Sequence, residues 1–288
     1  MPADVLAFDP RHAHDPEVRL RVVPFTRALG AELAGVERGA ITFRLPCRGP
    51  ARGEHGGVDA RAMTALLDHA CGAGVYAALR EPLPIATLDL RVAFERDAPP
   101  GAELTVTARA GSVDGSVAFV EAAASAPDGV PVARAAGAFI VGAHPGGGDG
   151  GGRGGEPWRP ARAFALGDAA AATHFADLLG LVRDGPLLVM PFADRLVGAM
   201  SLPALHGGAV AALLATAARE LARADGGRAA RLAAMTIQYL RAGRAESTSA
   251  EAVFEKRGTR SSVVAVSARQ GHGAREVARA QCTFVAPA

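Results

Sequence analysis

The sequence predicts an α+β protein made of two copies of one module, each a long helix packed on an antiparallel sheet of about five strands. Three observations carry that expectation. Segments recur in the same order in the two halves at a nearly constant spacing. Each half holds one long stretch that is apolar on nearly every helical face. Each half then runs through alternating apolar and polar residues broken by turn-forming clusters. MTALLDHA (63–70) matches VAALLATA (210–217) at an offset of 147, and VAFER (92–96) matches IQYLR (237–241) at 145. RAAGAFIV (134–141) matches RAQCTFVA (279–286) at 145 again, and upstream FTRALG (25–30) matches FADLLG (175–180) at 150.

The elements follow in the same order in both copies. A short helical stretch is expected over 25–33 in the first and 173–181 in the second. A strand, ITFRLP, comes next in the first copy, and then the long apolar helix, over 62–78 there. Strand-like runs follow at 85–96, 103–110, 116–126 and 132–141, and again at 231–241, 247–257, 263–270 and 276–285. The turns between them (DAPPG, SVDGS, APDGV, RGTRS, GHG) are rich in Gly, Pro, Asp and Ser. One helix on such a sheet is a two-layer architecture. Residues 143–157, AHPGGGDGGGRGGEP, hold too many glycines to build a core and read as a flexible tether. The expected organisation is therefore a module over 1–142, a linker over 143–157 and a second module over 158–288.

Composition narrows the function classes. The 288 residues suit two domains of ~100–150 residues. With 49% apolar and 21% charged residues the chain is globular rather than disordered. A net charge of +2, with the basic residues scattered, gives no footprint for nucleic acid. Cys47, Cys71 and Cys282 are far apart and form neither a disulfide framework nor a zinc pattern, so a reducing cytoplasm is the expected compartment. Asp4 and Asp9 stand where a signal peptide would be apolar, and no uncharged apolar run reaches the ~18 residues of a membrane span. His12, His14 and Asp15 read as a polar tail, and no metal is expected.

His-Gly-Gly occurs twice, at 55–57 and at 206–208, each time ahead of the apolar helix. The first helix carries Asp68, where the second has Ala215. LPALHGGAVAALLA, preceded by PFADRLVG, resembles one half of the signature of hotdog-fold thioesterases of the phenylacetate-pathway type, and TALLDHACG resembles the other half. That signature is an HGG opening the central helix, with a carboxylate nine residues after the histidine. LDLRVAFER is also similar to the family's strand after the helix. The resemblance implies a tandem hotdog, two modules in one chain packed as a pseudo-dimer with each sheet wrapped around its helix. Nine residues before Asp68 stands Asp59, so the first His-Gly-Gly falls four residues early and is expected to be loop. Asp59-Ala60-Arg61 takes its place. Each copy keeps one half of the signature.

Two halves can make one whole site. Thioester hydrolysis needs amide donors for an oxyanion and a carboxylate that activates water or attacks directly. Nine helical residues are ~13.5 Å of rise, so amides and carboxylate of one helix cannot meet at one carbon. The family resemblance accordingly implies a site shared between two helices. Asp68 of the first module is expected to face His206-Gly207-Gly208 of the second, as base or nucleophile. Gly207 and Gly208 would be the oxyanion donors, and His206 would cap the helix or orient substrate. The opposite seam, with Ala215 and Asp59-Ala60-Arg61, lacks its carboxylate. His69 and Cys71, two apart on a helix, point in different directions and form no dyad.

The resemblance further implies an acyl-CoA substrate, so the coenzyme arrives with it and no other cofactor is expected. Family members hold its phosphates on a turn between late strands. The matching turn here contains Arg257, Thr259, Arg260 and Ser261. The first copy has Gly111-Ser112-Val113-Asp114-Gly115 there, with an acid and no base. Two other functions share the fold: a non-catalytic acyl-CoA binder, and a hydratase or dehydratase, whose H-F-P-like motif is not found here. The partner is a small molecule, and a chain of this kind can act alone or pair into a homodimer.

Overall fold

The computed structural model describes residues 23–79, 83–142, 172, 174–199, 202–224, 231–273 and 275–286. The polar tail with His12, His14 and Asp15 and the tether 143–157 lie outside the described residues. The first module runs α1 (Pro24–Ala28), β1 (Glu32–Glu37), β2 (Ala40–Leu45), α2 (Ala60–Ala78), β3 (Ile85–Phe94), β4 (Leu104–Asp114), β5 (Val117–Ser125) and β6 (Pro131–Val141). The second runs α3 (Phe175–Leu179), β7 (Val182–Asp184), β8 (Leu187–Met190), a small hairpin β9 (Val197–Ala199) and β10 (Leu202–Leu205), then α4 (Gly207–Ala224). It closes with β11 (Arg231–Tyr239), β12 (Thr248–Lys256), β13 (Ser261–Gln270) and β14 (Arg275–Val285).

Twelve strands form one antiparallel sheet in the order β1-β2-β4-β5-β6-β3-β11-β14-β13-β12-β8-β7. The order reads the same from either end once the copies are equated, so the modules are related by a pseudo-twofold between β3 and β11. Register agrees with this symmetry: Arg91 pairs with Thr236, two residues that are equivalent at the 145-residue spacing. The bulge between Thr87 and Asp89 recurs between Leu232 and Ala234.

Both long helices lie on the inner face. Leu66, Leu67, Ala70, Cys71 and Val75 of α2 are fully enclosed, as are Ala211, Ala212, Leu213 and Leu214 of α4. Each buried Leu contributes ~1.5–3 kcal/mol from water exclusion alone, which explains why these helices are apolar all round. The modules also clasp one another reciprocally. Phe25 of α1 packs on the His206 ring at the start of α4, and Phe175 of α3 lies under Arg61 in the first turn of α2.

The structure corrects three details. The stretch 25–33 is not one helix: α1 stops at Ala28, and Gly30, at φ +79°, turns the chain into β1. In the second module Gly180, at φ +62°, ends α3 in the same manner. Each module consequently supplies six strands to the sheet rather than about five, because β1 and β7 add an outer hairpin partner. His55-Gly56-Gly57 is loop, as expected, with His55 exposed.

Candidate active site

The two long helices meet at Asp68. A β-carbon on Gly207 would stand 2.8 Å from Asp68 Oδ2 and 3.2 Å from Oδ1, so the carboxylate of the first module presses on the bare Cα that opens the second module's helix. One residue on, a β-carbon on Gly208 would meet the Ala65 carbonyl oxygen at 2.5 Å. The Gly-Gly pair is what permits this approach. Asp68, His206 and Gly208 are buried, whereas Gly207 is partly exposed.

Asp68 Oδ1 is anchored by two hydroxyls, Thr87 Oγ1 and Tyr239 Oη, each at 3.3 Å. Tyr239 Oη is also 3.2 Å from the Gly207 carbonyl oxygen, so one phenol ties the carboxylate to the helix start. Burial raises the Asp68 carboxyl to about 6, against the pull of Tyr239, Thr87 and the nearby Gly208 amide. The Tyr239 phenol is pushed well above its ordinary value by burial and by Asp68, so it stays a donor.

His206 is the N-cap of α4: its Nδ1 accepts from the Gly208 N–H at 2.9 Å. Asp59 does the same for α2, accepting from the Arg61 N–H at 2.8 Å. His206 Nδ1 also lies 3.7 Å from Asp68 Oδ2. This is not an ion pair, because burial and His69 hold His206 well below the usual imidazole range and the ring is neutral. The Gly208 amide, expected as an oxyanion donor, donates to His206 Nδ1 and lies near the Asp68 carboxylate. The first amides of a helix, that of Gly207 among them, have no intrahelical acceptor.

The opposite seam is filled with charge. Asp59 receives Arg61 at 2.6 Å and Arg219 at 3.3 Å, and Glu54 receives Arg223 at 2.7 Å and Arg219 at 3.4 Å. Ala215 stands where Asp68 stands in the first module, and Phe94 and Leu232 replace Tyr239 and Thr87 at the equivalent strand positions. Hydrocarbon thus stands at the positions of Asp68, Thr87 and Tyr239, and Asp59 with its arginines stands at the position of His206.

The structure does not bring Arg257, Thr259, Arg260 and Ser261 to this site. Ser261 pairs with Val285, which pairs with Arg231. Tyr239 lies eight residues further along β11, ~26 Å away. The turn therefore flanks the charge-filled seam, and Arg257 sits over the Phe254 ring at 4.4 Å. The repeat shows which turns correspond, but antiparallel pairing decides which end of the sheet each one occupies. The residues that sequence reasoning missed are Thr87, Tyr239 and His69. A hydroxyl at 239 opposite Phe94 in the repeat was the available signal. Among the described residues no three His, Cys, Asp or Glu side chains converge as a metal site.

Residues 55–133 match the family model of the thioesterase superfamily, and residues 198–285 match that of the acyl-CoA thioesterase N-terminal domain. Both modules are hotdog-type thioesterase domains. The chain is accordingly a thioester hydrolase with two such domains in tandem. The tesB protein of Mycobacterium avium subspecies paratuberculosis is 12% identical with a TM-score of 0.65, over 92% of this chain and 100% of that one. A putative thioesterase from Novosphingobium aromaticivorans is 16% identical with a TM-score of 0.60, over 89% and 98%. The 12:0-ACP thioesterase from Umbellularia californica is 10% identical with a TM-score of 0.59, over 86% and 95%. These likenesses show the fold alone, over 86–92% of this chain. A sequence comparison with curated proteins found no match. Among the described residues no helix is long and apolar enough to cross a membrane.

Proposed function

We propose that the chain hydrolyses an acyl-CoA thioester to free acid and CoA at one composite site, in the manner of the phenylacetate-pathway type. One observation carries the reading: the buried Asp68 carboxylate of one module lies against Gly207, which opens the helix of the other. With Oδ1 held by Thr87 and Tyr239, Oδ2 is the working oxygen. It takes a proton from water, and the hydroxide adds to the carbonyl carbon as the π electrons move onto oxygen. The Gly207 N–H, at the positive end of α4, stabilises that oxyanion. Collapse breaks the C–S bond, and the thiolate leaves with the proton held by Asp68.

An anionic carrier suits the site's surroundings. The loop 240–247 packs on the segment leading into His206, with the Leu205 N–H donating to the Gly243 carbonyl at 2.9 Å. Buried Gln270 fixes this loop, accepting from the Arg244 N–H at 3.0 Å and donating to the Arg244 carbonyl at 3.1 Å and to Thr248 Oγ1 at 2.9 Å. Arg241 and Arg244 are exposed on it. They, rather than the 257–261 turn, are the groups we assign to the phosphates of CoA.

The test is free-thiol release over a panel of aromatic, short-chain and medium-chain acyl-CoAs, with wild type, Asp68→Asn and Arg244→Glu. The expected result is turnover that Asp68→Asn abolishes while acyl-CoA affinity is retained, and that Arg244→Glu weakens through KM. No thiol release from any acyl-CoA overturns the reading, and an Asp68→Asn variant as fast as wild type overturns the site.

A further inference from the structure

His69 follows Asp68 in α2 and meets the second module at one atom. Its Nδ1 lies 3.1 Å from His206 Nε2, with both rings buried, Phe43 edge-on to His69 and Phe25 against His206. The protons of this pair can be placed. A backbone N–H only donates, so His206 Nδ1, which accepts from Gly208, carries no proton. A neutral imidazole has one N–H, which is then on Nε2 and donates to His69 Nδ1. The His69 proton is thereby left on Nε2, a buried group with no partner among the described residues. Such an orphan donor costs stability. At the equivalent position of the second module stands Thr216, whose hydroxyl donates to the Ala212 carbonyl of its own helix. The histidine is present only beside Asp68.

We propose that His69 is a positioning residue that fixes the tautomer of His206. By accepting the Nε2–H, it keeps a bare Nδ1 facing both the Gly208 amide and Asp68 Oδ2, which is 3.7 Å away. No proton then stands between His206 and the carboxylate. In the other tautomer an Nδ1–H would stand beside Oδ2, the oxygen assigned above to water, and its positive charge density would draw on that oxygen. The Gly208 amide would also lose its acceptor. The kinetic part of this inference rests on the proposed hydrolysis; the tautomer itself does not.

The experiment is 15N NMR of the histidine rings in the full chain, with kinetics, for wild type, His69→Leu and His69→Asn. In wild type, His206 Nδ1 should resonate as a pyridine-type nitrogen and Nε2 as a pyrrole-type one. His69→Leu removes the acceptor and should reverse the two, with kcat down by about tenfold or more and KM changed by less than about twofold. His69→Asn, whose amide oxygen can stand in for Nδ1, should restore the tautomer and most of kcat. A wild-type spectrum with Nδ1 protonated overturns the inference, whether or not the variants fold. So does a His69→Leu variant that keeps both tautomer and kcat. If wild type hydrolyses no acyl-CoA, the proposed function fails, while the spectrum still decides the tautomer.

Discussion

Gly207 and Asp68 belong to different modules, yet no side chain larger than hydrogen fits between the Cα of one and the carboxylate of the other. Gly207→Ala would put a methyl 2.8 Å from Oδ2, and the side chain of Asp68 can swing away. We expect a folded protein with kcat/KM lower by about 10²-fold, the scale of an ångström's misplacement. Gly208→Ala meets backbone instead, the Ala65 carbonyl oxygen at 2.5 Å, and should cost ~1–3 kcal/mol of stability. Thermal melts and kinetics on the two variants check this; equal behaviour of the pair would contradict it.

Asp68 sets a pH dependence in two observables. Its carboxylate is the working form and its carboxyl is raised to about 6, so kcat/KM should climb as pH rises through about 6 and level off above. For stability, the folded chain holds this proton more tightly than the unfolded one. The stability it contributes is fully present below the ordinary value of 3.8 and is lost as pH rises through about 6, amounting to ~3 kcal/mol. Asp68→Asn escapes the loss. Its melting temperature should exceed that of wild type at pH 8, and the gap should close toward pH 4. A gap that does not vary with pH would refute the burial argument.

Whether Asp68 acts as base or nucleophile leaves an isotopic trace. With enzyme in excess over substrate in H2 18O, a single turnover through activated water places 18O in the product acid. Attack by Oδ2 itself would form an acyl–Asp68 anhydride. Water adding at its Asp68 carbon delivers 16O to the acid and leaves 18O on Asp68. Water adding at its acyl carbon delivers 18O, but through an intermediate that hydroxylamine traps. Mass spectrometry of the acid together with hydroxylamine trapping separates the two. We expect 18O and no trapped intermediate.

The charge-filled seam should bind no second substrate. Calorimetry with a hydrolysis-resistant acyl-CoA analogue should give one ligand per chain; two would contradict the reading of Arg61, Asp59 and Arg219 as a plug. Arg219→Ala removes partners from Asp59, which keeps Arg61, and from Glu54. It should cost ~1–3 kcal/mol of stability, the range for a buried polar group that loses a partner. The activity at Asp68 should be unchanged within about twofold, since the two seams share no partner.

Much of this was readable before the structure, because it rests on repetition. Four matched segments divide the chain in two, and the nine-residue spacing pairs Asp68 with Gly207 across the seam. What escaped depends on register. Thr87 and Tyr239 reach Asp68 only because β3 and β11 lie side by side in the antiparallel sense, with Gln238 opposite Asp89. The phosphate-turn assignment failed for the same reason, the ends of the sheet being interchangeable until the strands are paired. The misread start of the first module turned on Gly30, whose positive φ separates a five-residue helix from a strand of similar composition.

The ladder between β3 and β11 has an evolutionary consequence. In an assembly of identical separate chains, any change in the gene appears at both seams, so Arg at 219 or Phe at 94 could not be adopted in one place without disabling the other. Joining the halves into a single reading frame releases that constraint. One seam can then drift into an ionic rivet while its twin keeps the chemistry, and selection acts on a molecule that no longer needs to be symmetric.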